Sequence, residues 1–106
     1  MSIFSTVKNY SSLIEDGRTQ HNVLAYTMTE VGELAEEIII QHGHSYKDPG
    51  VDGVIGEAVD VIICALDMIN ISNPQITEDE ILEIVIRKCK KWRIKTNERQ
   101  QRDANF

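Results

Sequence analysis

The stretch Gly53-Val-Ile-Gly-Glu57-Ala-Val-Asp60-Val-Ile-Ile-Cys64-Ala-Leu-Asp67-Met-Ile-Asn-Ile71 decides the fold. At about 100° per residue, Val54, Ile55, Ala58, Val59, Val61, Ile62, Ile63, Ala65, Leu66, Met68 and Ile69 surround nearly the whole circumference of a helix. Such a helix has to be covered on almost every side, which places it at the centre of an all-α domain. The exceptions to its apolar character are Glu57, Asp60 and Asp67, which share one narrow stripe with Cys64 between them.

Outward from this segment, the two prolines, Pro49 and Pro74, sit where the periodic pattern breaks and divide the chain into helical blocks. The pattern predicts a short leading helix over 3–15, a long one over 19–41, the central helix over 53–71 and a fourth over 78–95. The fourth has a readable start, because Thr77-Glu-Asp-Glu80 fits a capping box in which hydroxyl and carboxylate each satisfy an orphan backbone N–H. Residues 1–95 are expected to form a single small bundle of about four helices, and residues 96–106 a polar tail that frays. There is no internal repeat. The run Ile38-Ile39-Ile40 is short and continues a stripe already set at helical spacing, so no strand competes.

On the second helix, Leu24, Met28, Val31, Leu34, Ala35, Ile38 and Ile39 form one arc, expected to be the core face. Glu30, Glu33 and Glu37 occupy the adjoining sector, and Glu36 falls on the far side with Thr29 and Gly32. A carboxylate taken out of water costs several kcal/mol unless it is paired, protonated or coordinated, so the acids of the second and third helices need a compensating cation. One source is the fourth helix, where Lys88, Lys91 and Lys95 flank the apolar stripe and could serve Asp67. The other is a metal ion. Glu57 with Asp60 at i, i+3 sets two like charges side by side, and Glu30 with Glu33 repeats the spacing, so something strongly positive belongs between them. Four hard oxygen ligands point to magnesium, with manganese also possible. A di-iron bundle would use Glu-x-x-His on two helices, and no such pair occurs; His21, His42 and His44 fall at helix ends or in a loop.

Glu30-Val-Gly-Glu33-Leu-Ala-Glu, followed after a loop by Glu57-Ala-Val-Asp60-Val-Ile-Ile, resembles the MazG-type all-α nucleoside triphosphate pyrophosphohydrolases, whose signature is E-x-x-E on one helix and E-x-x-D on the next. The resemblance covers roughly residues 22–92. It implies that Glu30, Glu33, Glu57 and Asp60 hold magnesium, and that a (d)NTP is cleaved between its α- and β-phosphates to a (d)NMP and pyrophosphate, as in cleansing of the nucleotide pool. Asn22-Val-Leu is similar to an Asn-Leu element of the deoxycytidine-triphosphate-cleaving branch, which implies a place for Asn22 in the nucleoside pocket; helix capping is the other role open to it. The aromatic expected after the first acidic motif in that branch is replaced by Ile39-Ile40-Gln41. Lys88, Lys91 and Arg93 are similar to basic residues that follow the second motif in this family. Lys88 or Lys91 would neutralise the departing pyrophosphate, and Glu33 or Glu37 would receive the proton of the attacking water.

With 106 residues and 42% hydrophobic content the chain can build one core with little to spare. Seventeen Asp and Glu against eleven Lys and Arg give a net charge of −6, which makes a polynucleotide a poor partner, whereas a metal can bridge an acidic protein to a small phosphorylated ligand. Cys64 and Cys89 form no C-x-x-C pair and read as buried free thiols. No signal-like stretch opens the chain and no membrane span occurs, so a cytoplasmic protein is expected. Covering the third helix calls for more than three companions from one short chain, which predicts a homodimer or homotetramer. Two other functions remain open: a non-catalytic helical interaction module whose acids form salt bridges, and a phosphohydrolase acting on a signalling or modified nucleotide.

Overall fold

The computed structural model describes residues 1–105, which form four α-helices and no strand: α1 (Ile3–Leu13), α2 (Gln20–Gln41), α3 (Gly53–Ser72) and α4 (Glu78–Ala104). Phe106, the end of the expected tail, lies outside the described residues. The chain divides at Gln75 into two compact units. The first is a small helical bundle in which α3 packs against both α2 and α1. The second carries α4. Among the described residues no helix is long and apolar enough to cross a membrane.

Local chemistry sets the helix boundaries. Ser2 with Ser5, Thr19 with Asn22, and Thr77 with Glu80 each form a reciprocal capping box, at the starts of α1, α2 and α4 respectively. The box at Thr77 is the one legible in the sequence. Helix α3 begins differently: its N-cap, Asp52, makes no side-chain cap bond. Gly53 follows in the left-handed region (φ 60°), and a Cβ on Gly56 would collide with that of Asp52. Both glycines are therefore required by the tight entry into α3.

The expected fraying after Lys95 does not occur, and α4 continues to Ala104. The segment Glu98-Arg-Gln-Gln-Arg-Asp-Ala104 contains no Gly or Pro and consists largely of strong helix formers, with Arg99 and Asp103 paired at i, i+4. Polarity alone did not mark a helix end.

The core face of α2 also differs from expectation. Its inward row is Val23, Thr27, Glu30, Leu34 and Glu37, at alternating spacings of four and three, with Val23 only 1% and Glu37 only 7% exposed; Glu36 and Ile40 are partly covered as well. Leu24, Met28, Val31, Ala35, Ile38 and Ile39 are exposed; of the expected arc only Leu34 is partly covered. The apolar arc thus faces away from α3, and the sector bearing the acids faces in. On α3, Ile55, Val59, Ile62 and Ile63 are exposed as well, so α1 and α2 do not by themselves surround it. Cys64 is half-buried and Cys89 exposed, both free, which corrects the expectation for Cys89.

Asp67 finds its cation in Arg18, from the linker before α2, rather than in a lysine of α4. Arg18 donates through Nε to Asp67 Oδ2 (2.9 Å) and through Nη2 to Asp67 Oδ1 (2.6 Å), a bidentate pair. The Ser11 hydroxyl of α1 donates to the same Oδ1 (2.5 Å), and Asn70 Nδ2 donates to Ser11 Oγ (2.8 Å). Arg18 also donates to the Ile14 and Ser11 carbonyls and to Asp16. One guanidinium therefore fastens the end of α1, the linker and α3 together. The bonds from Arg18, and then that from Ser11, hold the Asp67 carboxyl below its usual range against the opposing effect of burial.

Candidate metal centre

The inward turn of α2 follows from its spacing. With Val23, Thr27 and Leu34 against α3, Glu30 and Glu37 are carried to the same face, and Glu33 stands at its exposed edge. On α3 the stripe containing Glu57 and Asp60 is partly covered. Glu30, Glu33 and Glu57 each offer a carboxylate oxygen within 4.8 Å of the others. On one octahedral magnesium ion neighbouring oxygens lie about 3 Å apart and opposite ones about 4.2 Å, so side-chain adjustments of roughly an ångström would bring these three into one coordination sphere. Asp60 adds a fourth carboxylate whose charge acts on both Glu30 and Glu57.

None of the ion pairs seen among the described residues reaches this group. Glu30 Oε2 and Glu57 Oε2 are buried from water and have no hydrogen-bond partner. Among the described residues the ion pairs are Arg18 with Asp16 and Asp67, Lys47 with Glu36, and Arg99 with Asp103; none involves Glu30, Glu33, Glu57 or Asp60. Burial first, then a hydrogen bond that protonated Glu30 donates to Glu33 and the charge of Glu33, and then the charges of Asp60 and Glu57, push the Glu30 carboxyl up. Burial, and then the charges of Glu33, Asp60 and Glu37, do the same to Glu57. Close carboxyls that repel one another and keep unpartnered oxygens can hold a cation, and acidic groups also cluster without one. Thr27 offers no relief, since its hydroxyl donates to the Val23 carbonyl (2.7 Å). Burial and the Glu30 charge push the Cys64 thiol up as well. The donors are all hard oxygens and suit magnesium or manganese.

The other residues singled out in the sequence fall elsewhere. Asn22 takes the capping role: its Oδ1 accepts from the Thr19 backbone N–H (2.9 Å) and hydroxyl (3.0 Å). Glu37 accepts from the Gly50 backbone N–H through Oε1 (2.8 Å), so its carboxylate is committed to the α2–α3 connection. Lys88 and Lys91 are exposed on α4, within Arg87–Lys95, where six cations occur without an acid. His21, His42 and His44 are exposed. Two contacts escaped the sequence reading. Arg18 left one trace, as the only Lys or Arg between Lys8 and Lys47, but a linker residue has no periodicity to aim it. The partnership of Glu37 with Gly50 left none, because the acceptor's target is a backbone amide.

No protein-family model matches the chain, and no curated protein or solved structure matches it.

Proposed function

We propose that the chain is a magnesium-dependent nucleoside triphosphate pyrophosphohydrolase of the MazG type. The observation that carries this reading is the convergence of Glu30, Glu33 and Glu57, two of them with buried and unpartnered oxygens, on facing helices. The same residues, with Asp60, occupy the E-x-x-E and E-x-x-D positions of the family signature. A salt-bridged interaction module is disfavoured by the lack of any ion pair to these acids among the described residues.

Glu30, Glu33, Glu57 and Asp60 would hold the metal, which when bound supplies positive charge to the triphosphate and lowers the pKa of water. Glu33, the exposed member, or Glu37, whose Oε1 accepts from the Gly50 N–H, would accept the proton of the attacking water. Water oxygen adds to the α-phosphorus, the bond from that phosphorus to the bridging oxygen breaks, and pyrophosphate leaves. The substrate is a small anion rather than a polynucleotide, in keeping with the net charge of −6.

A screen of canonical and damaged triphosphates with Mg²⁺ is expected to give pyrophosphate and a monophosphate in equal amounts from at least one of them. Orthophosphate as the product would shift the reading to another phosphohydrolase, and no product from any triphosphate would count against catalysis.

The apolar residues left open on α2 (Leu24, Met28, Val31, Ile38) and on α3 (Ile55, Val59, Ile62) amount to more than the scattered apolar exposure normal for a monomer. They support a homodimer or homotetramer. Light scattering at micromolar concentration is expected to return a mass near two or four times 12.0 kDa. A monomer would contradict this.

A further inference from the structure

We propose that Glu37 is a positioning residue: it holds the α2–α3 connection closed, and the metal-binding acids depend on its acceptor oxygen rather than on its charge. This rests on the metal reading of the Glu30–Glu33–Glu57 group. Three of the four helices start with a capping box, and α3, which carries Glu57 and Asp60, does not. Its first turn follows an irregular connection over 42–52, whose closure has an entropic cost and whose end would fray without an anchor.

Glu37 supplies that anchor. It stands one helical turn beyond Glu33, 7% exposed, and its Oε1 accepts from the Gly50 N–H at 2.8 Å. The Gly50 carbonyl in turn accepts from the Gly53 N–H (3.2 Å), and Gly53 is the first residue of α3. A continuous path of two hydrogen bonds therefore runs from α2 to the residue one turn before Glu57. The neighbouring acid, Glu36, pairs with Lys47 and fastens the same connection at a second point. That pair is about half exposed and contributes little; the Glu37 bond is part-buried, with the Glu37 side of it covered.

Glutamine keeps a carbonyl oxygen for the Gly50 N–H and removes the charge, whereas alanine removes both. Uniformly ¹⁵N-labelled wild type, E37Q and E37A are compared by Mg²⁺ titration and by exchange of the Gly50 amide. In E37A the Gly50 amide is expected to exchange much faster, and Mg²⁺ to bind about 10- to 100-fold more weakly, as for other residues that orient metal ligands. E37Q is expected to rescue most of both losses. If E37Q loses Mg²⁺ affinity as fully as E37A while Gly50 stays protected, the charge itself acts at the metal and the proposal is overturned. It is equally overturned if E37A leaves Gly50 exchange and Mg²⁺ affinity unchanged. Should wild type bind no Mg²⁺, the metal reading falls with it, and the exchange rates still decide whether Glu37 anchors the connection.

Discussion

Replacing Glu57 with Gln is expected to reduce magnesium-dependent pyrophosphate release by at least ~100-fold, more than the loss typical of residues that only orient metal ligands. The variant keeps the size and the hydrogen-bonding oxygen of the side chain and removes only the charge. It should keep the helicity of the wild type by circular dichroism. In the metal-free protein Glu57 lies among Glu33, Asp60 and Glu37, whose charges and the surrounding burial oppose its ionisation. Neutralising it relieves that repulsion, so metal-free E57Q is expected to melt at the same temperature as wild type or higher. Loss of activity with retained or improved stability separates a functional carboxylate from a structural one. Full activity in E57Q would refute the site.

The second large effect lies away from the metal centre, in the clasp between Arg18 and Asp67. Their side chains are only 10% and 17% exposed, and Ser11 and Asn70 complete the network. Removing one partner leaves the other charge uncompensated and poorly hydrated, which costs about 3 kcal/mol. Asp67→Ala or Arg18→Ala is therefore expected to lower the melting temperature by roughly 10 °C. Asp67 has its carboxyl held below the usual range in the folded state. Between that lowered value and the ordinary one near 4, the unfolded chain binds more protons than the folded chain. The contribution is thus complete above about pH 4 and is lost as the pH falls through the folded value. Asp16, on the other side of Arg18, is lowered in the same direction. Asp67→Asn should flatten this acid limb of the stability curve. An unchanged melting temperature and an unchanged acid limb would show that the clasp is not a determinant of stability.

The sequence announced the acids and the helices because both signals are local. Glu57 and Asp60 stood out as charges on a helix otherwise apolar all round, and the structure covers both in part. Thr77 and Glu80 announced the start of α4, because a capping box is complete within four residues. What failed was the inference from apolarity to burial on α2. Leu24, Met28, Val31 and Ile38 form the more hydrophobic arc and are exposed, yet Val23, Thr27, Glu30, Leu34 and Glu37 are covered. A helical wheel ranks faces by hydrophobicity and assumes that the best face meets the chain's own core. Where two faces compete, that ranking does not say which of them meets α3.

The end of α4 and the partner of Asp67 were illegible for different reasons. Helix propensity persists through polar residues such as Gln100 and Gln101, so polarity after Lys95 carried no stop signal. Arg18 reaches Asp67 across 49 residues of sequence, a separation that periodicity does not register. Glu37 belongs to the same class: its spacing put it on the inward sector, but only the fold of the 42–52 connection brings the Gly50 amide to it.

The central claim is that Glu30, Glu33, Glu57 and Asp60 form one divalent-cation site. Calorimetric titration of Mg²⁺ into the metal-free protein tests it without reference to any substrate. Saturable binding that disappears when Glu30 is replaced by Gln is the predicted result. Failure of wild type to bind Mg²⁺ or Mn²⁺, or binding that Glu30→Gln leaves intact, would contradict it.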